Sequence, residues 1–248
     1  LDQYLPIDYI MEWFKQRLDK KGVKNRVLVL KSDTGSGKST GFPATLVKFL
    51  GDNLGEMPRI AVTQPSVINA VSIPQGIVKD GYAPWLILGE TIGWQTGPSR
   101  KKPRKKGLLY MTLGSLAGQL KAMQDEEFIK MYKVIVVDEV HAASLEQYTI
   151  IYALKNFVLR NIDNADLPFI VFTSATFYTT KFLKYMDVYD AENAQPNLIQ
   201  VAGFTYKLHE QWDYTKQPHQ DYVEASIEAA THIHEKNLND KPDNADIL

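Results

Sequence analysis

Lys31-Ser32-Asp33-Thr34-Gly35-Ser36-Gly37-Lys38-Ser39-Thr40 separates an apolar run, Arg26 to Leu30, from a segment of helical periodicity, Ser39 to about Leu50. A strand, a glycine-rich turn, Gly-Lys-Ser and a helix in that order form a nucleotide phosphate cradle. Gly35 and Gly37 allow backbone conformations that a side chain would forbid, so successive N–H groups can converge on phosphate oxygens. The following helix adds its free N–H groups and the positive end of its dipole. Lys38 supplies a mobile charge for the β- and γ-phosphates, and the Ser39 hydroxyl is placed to ligate Mg²⁺. Thr34, Gly35, Ser36, Gly37, Lys38, Ser39 and Thr40 are therefore the candidate residues for ATP or another NTP. Ser32 departs from the pattern, because it stands where the first glycine of such loops belongs.

A second stretch, Val136-Val137-Asp138-Glu139-Val140-His141, places two carboxylates at the end of an apolar run. In an open parallel sheet that end is the rim where ligands sit. Beside a phosphate loop, charge divides the labour: Asp138 for the Mg²⁺, Glu139 for polarising or deprotonating the attacking water. A third strand-like run ends in Thr173-Ser174-Ala175-Thr176. Small hydroxyl residues there are ordinary turn residues, or sensors of the γ-phosphate.

Around these sites, strand-like runs recur at Arg59–Gln64, Trp85–Leu88, Leu108–Thr112, Lys133–Asp138 and Phe169–Thr173, with helical patterns at 67–78, 113–123 and 144–160. Alternation of strands and helices predicts an α/β fold, a mostly parallel sheet with helices on both faces. Val134 to Val137 is continuously apolar, as a strand buried on both sides should be. Ser144-x-x-Gln147 is a capping-box signature for the helix at 144–160. Ile7, Ile10, Met11, Phe14 and Leu18 form one helical stripe, a helix expected to cover the edge of the fold, with Gly22 as its stop. These features divide the chain into a covering helix (1–24), a nucleotide-binding domain (25–190), a linker (191–204) and the start of another lobe (205–248). Towards the C-terminus strands are expected at 198–201, 206–214 and 245–248, and a helix near 219–235.

The bulk numbers constrain the remaining classes. The chain has 248 residues, 44% of them hydrophobic and 23% charged, with formal net charge −1; nucleic-acid binding would have to come from local patches. Cysteine is absent, which excludes disulfide scaffolds, thiolate catalysis and cysteine zinc sites. The lack of cysteine fits an intracellular location, and because no apolar run approaches the roughly 20 residues of a membrane helix, no membrane partner is expected. The first residue is Leu1, which predicts a fragment or processed product. Arg100-Lys101-Lys102-Pro103-Arg104-Lys105-Lys106 reads as a solvated loop, a contact to nucleic-acid phosphates or a localisation signal, with Pro103 and the charge opposing regular structure. His232 and His234 point to different helix faces and are assigned no metal.

Together the motifs carry a resemblance. Asp33 to Ser39, Thr63-Gln64-Pro65, Asp138-Glu139-Val140-His141 and Ser174-Ala175-Thr176 resemble motifs I, Ia, II and III of superfamily 2 helicases. They are most similar to the DEAH/DExH RNA helicases of cells and large DNA viruses. Tyr110-Met111-Thr112-Leu113-Gly114 is similar to that branch's Tyr-Met-Thr-Asp-Gly, with Leu113 replacing the acid. The resemblance implies a RecA-like P-loop NTPase fold followed by an incomplete second RecA-like lobe. It implies ATP and Mg²⁺ as cofactors, and single-stranded nucleic acid as partner, RNA favoured over DNA. It also implies catalytic Lys38 and Glu139, Mg²⁺ on Ser39 and Asp138, and coupling of hydrolysis to movement through His141, Ser174 and Thr176. Thr63, Gln64, Thr112 and Gly114 would lie along the nucleic-acid backbone. Ser66 replaces the arginine, and Val140 the alanine, of the usual motifs. Without the arginine fingers of a second lobe, poor hydrolysis is expected. A double-stranded-DNA translocase or packaging ATPase, and a non-catalytic binding module, are the alternative readings.

Overall fold

The computed structural model describes residues 6–142, 144–176, 178–201 and 222–240. In chain order these form α1 (Ile7–Lys15), β1 (Val27–Ser32), α2 (Gly41–Leu54), β2 (Ile60–Gln64) and α3 (Val67–Asp80). Then come β3 (Ile92–Gln95), β4 (Arg100–Lys101), β5 (Leu108–Thr112), α4 (Leu113–Ala122) and α5 (Asp125–Met131). They are followed by β6 (Val134–Val137), α6 (Leu145–Arg160), β7 (Phe169–Ser174), α7 (Thr179–Tyr185), β8 (Leu198–Val201) and α8 (Tyr222–Asp240). The chain divides into two compact units, Leu1–Thr205 and Tyr206–Leu248. Within the second, α8 is the described element; the strands expected at 206–214 and 245–248 lie outside the described residues.

The first unit is an eight-stranded sheet in the order β4-β3-β5-β2-β6-β7-β1-β8. Every pairing is parallel except that of β3 with β4. This is the mostly parallel α/β architecture of a RecA-like helicase lobe. Side chains alternate along each strand, and both faces are apolar. Leu28, Leu30, Val62, Val136 and Val171 pack with Phe14 of α1 and Leu46 and Leu50 of α2. Val29, Ala61, Val137 and Phe172 pack with Leu116 of α4, Phe128 of α5 and Ile150 and Leu154 of α6. Burial on both sides explains why the central strands read as continuous rather than alternating.

Three expectations need correction. Trp85–Leu88 is not a strand: it is a turn with one bridge, Leu88 to Ile92, held by the Trp85 indole donating to Ala44 O at 3.1 Å. The strand lies just beyond it, at β3. Arg100–Lys101 is not irregular but pairs antiparallel with Gln95 and Trp94, since on an edge strand charged side chains stay in water while the backbone pairs. The strand expected at 198–201 is β8, on the sheet edge beside β1. Finally, α1 covers a face of the sheet, not its edge. Phe14 is fully buried, its ring 5.0 Å from that of Phe169 on β7, while the Trp13 indole donates to Pro196 O at 2.8 Å.

That placement makes α1 part of the core. Phe14→Ala removes a fully buried ring and is expected to lower unfolding free energy by about 3–5 kcal/mol. Urea unfolding monitored by circular dichroism measures this, and a loss below about 1 kcal/mol would mean that α1 only rests on the surface.

Candidate nucleotide site and the motifs around it

The loop after β1 is built around one carbonyl. Gly37 O accepts from Thr40 N at 3.3 Å and from Phe42 N at 2.9 Å. The chain therefore turns through Thr40 before helical bonding begins at Gly41, two residues later than expected. Gly35 and Gly37 hold φ of +84° and +88°. A Cβ would meet nothing within 4 Å at Gly35 and only Gly41 N at 3.9 Å at Gly37. Backbone conformation, rather than space, requires glycine at these two positions. Ser32, by contrast, is the buried last residue of β1 and needs no such freedom; its hydroxyl pairs with that of Ser36 at 2.7 Å.

Lys38 is 3% exposed and folds back over its own loop. Its ammonium donates to Ser32 O at 2.5 Å, Asp33 O at 2.6 Å and Ser36 Oγ at 3.4 Å. Burial lowers its pKa, opposed by the negative charges of Glu139, Asp138 and Asp33. A buried ammonium held by neutral oxygens alone is an anion site by its chemistry.

Asp138 leaves the end of β6 and is 1% exposed. Its Oδ1 accepts from Glu139 N at 3.0 Å and from the Thr173 hydroxyl, and its Oδ2 from Gln64 Nε2 at 2.7 Å and the Ser39 hydroxyl. Ser39 and Asp138, 99 positions apart, are thus in direct contact. A hydroxyl beside a carboxylate is a hard, all-oxygen donor pair, which suits Mg²⁺. Among the described residues no group of three or more His, Asp or Glu could hold a metal alone. The pair fits an ion that takes its other ligands from phosphate and water, as Mg²⁺ does.

Glu139 has φ +56°, in the left-handed region. Burial raises its pKa and the neighbouring Asp138 charge raises it further, against the opposing effects of His141 and Lys38. His141 Nδ1 lies 3.1 Å from Glu139 Oε2 and 3.0 Å from Ser174 Oγ. The Ser174 hydroxyl in turn reaches Thr176 O at 3.3 Å. All three coupling candidates therefore connect to Glu139 through one short chain of polar contacts.

The expected nucleic-acid residues are not alike. Thr63 and Gln64 are buried, and the Gln64 amide is committed to Asp138. Their side chains do not form a surface for a nucleic-acid backbone. Thr112 caps α4 by accepting from Ser115 N at 3.4 Å, and Gly114 is exposed on the first turn. A Cβ at Gly114 would lie 2.8 Å from Glu146 Oε1. Ser66, in the arginine position, caps α3 by accepting from Asn69 N at 3.1 Å. In the basic run, Arg104 and Lys105 face Glu90 at 3.5 and 3.8 Å and Lys106 meets Glu56 at 2.7 Å. Two carboxylates therefore face three of its six cationic side chains.

Two participants were not singled out as site residues in the sequence, and a third, Thr173, reads there only as part of a hydroxyl run. Thr173 bonds Asp138, Gln147 Nε2 donates to Glu139 O at 2.6 Å, and the buried Tyr110 hydroxyl donates to Ser39 O at 2.7 Å. Burial pushes the Tyr110 pKa well up, so it remains a donor. Each is a hydrogen-bonding residue on an otherwise apolar buried face, which is the signal available in sequence. Two cavities flank the loop: one of about 390 Å³ along Gly35, Gly37, Thr40 and Tyr82, the other of about 790 Å³ between Asp33, Thr176 and Gln200.

Comparison with known proteins agrees with this arrangement. Residues 15–183 match the family model described as "DEAD/DEAH box helicase". The protein named "Putative RNA Helicase B962L" of African swine fever virus, Pretoriuskop tick isolate, is 34% identical over 98% of this chain. Its counterpart from a Kenyan pig isolate is 33% identical over the same share. The chain spans 26% of the length of these relatives. With more than half of its residues matched by the family model, this chain belongs to the DEAD/DEAH box helicase family.

Proposed function

We propose that the first unit is the ATP-hydrolysing lobe of a DEAH-type motor acting on RNA. The observation that carries this reading is the contact between the Ser39 hydroxyl and the Asp138 carboxylate, which joins the phosphate loop to the acidic strand end. In this reading Thr34 to Thr40 cradle the phosphates, and Lys38 leaves the Ser32 and Asp33 carbonyls for phosphate oxygens of higher charge. Ser39 and Asp138 hold Mg²⁺; when bound, that ion supplies positive charge to the phosphate oxygens. Glu139 accepts the proton of the attacking water, while four hydrogen bonds hold the Asp138 carboxylate in place. His141, Ser174 and Thr176 relay the state of Glu139 to the rim at the 790 Å³ cavity. Among the described residues no arginine lines either cavity beside the loop. Rapid turnover therefore needs a cation from elsewhere, worth about 10³–10⁵ in rate in related phosphoryl transfer.

RNA is preferred because the relatives bear the name RNA helicase. Gly114, on the first turn of α4, is the exposed part of the expected nucleic-acid track. In the full-length protein, single-stranded RNA should raise ATP turnover by at least about tenfold, a change of some 1.4 kcal/mol in activation free energy. Steady-state assays with RNA, single-stranded DNA and duplex DNA decide the matter. Stimulation by duplex DNA alone would favour a double-stranded-DNA translocase, and a protein without nucleotide affinity would be a binding module.

A further inference from the structure

Gln147 is the residue that local pattern and tertiary structure assign differently. The Ser144 hydroxyl accepts from Gln147 N at 3.2 Å, which is half of a capping box. The other half is not made. Instead of reaching back to its own helix, the Gln147 amide turns to Glu139 and donates to its carbonyl at 2.6 Å. Because a carbonyl can only accept, the amide must present its NH₂ there. Gln147 is 1% exposed, and its Oε1 is buried with no partner among the described residues. A methionine would occupy similar space without burying an unsatisfied oxygen, so packing does not account for an amide here.

What the amide holds is unusual. Glu139 is one of only two non-glycine residues among those described with positive φ, a conformation that persists when surrounding contacts impose it. Two contacts do so, one on each flanking peptide. Glu139 N donates to Asp138 Oδ1 at 3.0 Å, and Glu139 O accepts from Gln147. Asp138 is itself tied to Gln64, Thr173 and Ser39. The backbone of Glu139 is thus clamped between β6 and α6, with its carboxylate beside His141.

We propose that Gln147 is a positioning residue for hydrolysis, holding Glu139 in the left-handed conformation that aims its carboxylate at the reacting water. This inference rests on the hydrolase reading above. Releasing the carbonyl frees one peptide of that residue to rotate, and a displacement of about 1 Å at a catalytic base is enough to cost about 10²-fold.

The test compares Gln147→Met, Glu139→Gln and the double variant in the full-length protein. Gln147→Met should lower kcat for ATP about 10- to 100-fold, while KM, affinity for a fluorescent ATP analogue and the thermal midpoint stay near wild type. Gln147→Leu, which is close in size and also has no donor, should behave likewise and guards against a folding defect peculiar to methionine. In the Glu139→Gln background, Gln147→Met should cause no further loss, because both changes act through one group. Wild-type kcat in both Gln147 single variants, an added loss in the double variant, or a parallel fall in affinity and thermal midpoint would each overturn the inference. A wild-type protein that binds nucleotide without hydrolysing it would remove the hydrolase reading, and this inference with it.

Discussion

Lys38→Ala is expected to lower kcat/KM for ATP by about 10²–10³-fold, the loss found when one preorganised donor to a charged transition state is removed. The ammonium is the one cationic group buried within the phosphate loop, 3% exposed and bonded to the Ser32 and Asp33 carbonyls. Those bonds can be exchanged for charge-assisted bonds to phosphate, which are roughly twice as strong. Lys38→Arg is not a conservative rescue, since a planar guanidinium does not fit a pocket shaped around a point charge. Stability should change little by comparison. The variant loses three hydrogen bonds but also a charge whose burial is unfavourable, as the lowered pKa records. Titration with a fluorescent ATP analogue, steady-state turnover and thermal unfolding separate these effects. Wild-type kcat/KM in a folded Lys38→Ala protein would remove the nucleotide site from this loop.

Glu139→Gln should act on a different step. Its amide keeps the shape and cannot accept a proton, so kcat should fall by about 10²–10⁴-fold with ATP affinity preserved. The direction of the Glu139 shift adds a pH signature. Burial and the Asp138 charge raise its pKa, and the ionised form is the active base. Turnover should therefore decline as pH falls through that raised pKa, starting nearer neutrality than for an ordinary glutamate. The Glu139→Gln profile should lack this limb. Stability moves the other way. The folded state holds this proton more tightly than the unfolded chain does. Ionised Glu139 thus opposes folding above its folded pKa, and the penalty shrinks as pH falls below that value and is gone below the unfolded one. Glu139→Gln should be slightly more stable than wild type at neutral pH. An unchanged kcat, or loss of ATP affinity in parallel with kcat, would contradict the assignment of Glu139 as base.

Some elements could be read because their cause is local. Val134 to Val137 is apolar throughout, and it is a central strand covered on both faces. Ser144 before an apolar-periodic segment caps α6 as a short polar side chain at that position should. β3 was unreadable for an equally physical reason. Its Gly93 weakens the strand signal, and glycine is needed because a Cβ there would lie 1.9 Å from Lys101 O. The close approach of two backbones is a tertiary fact, invisible in residues 92–95. The apolar run at Trp85–Leu88 misled because its tryptophan packs toward α2 instead of extending a ladder.

By itself the sequence determined the chemical inventory: a glycine-rich loop ending in Lys38 and Ser39, an acidic pair at a buried strand end, and hydroxyls at a third. It determined local conformation wherever sterics or a neighbouring side chain set it, as at Gly35, Gly37 and Ser144. Tertiary structure alone decided partnership. The order β6-β7-β1 brings Thr173 and Ser39 to Asp138 from positions 35 and 99 residues away along the chain. It also withdrew Gln64 from the surface and turned Gln147 from its own helix to the backbone of Glu139. Short-range sterics act along the chain and leave a trace in residue pattern. A buried hydrogen bond is chosen by whichever groups the sheet brings within about 3 Å, and no neighbour in sequence records that choice.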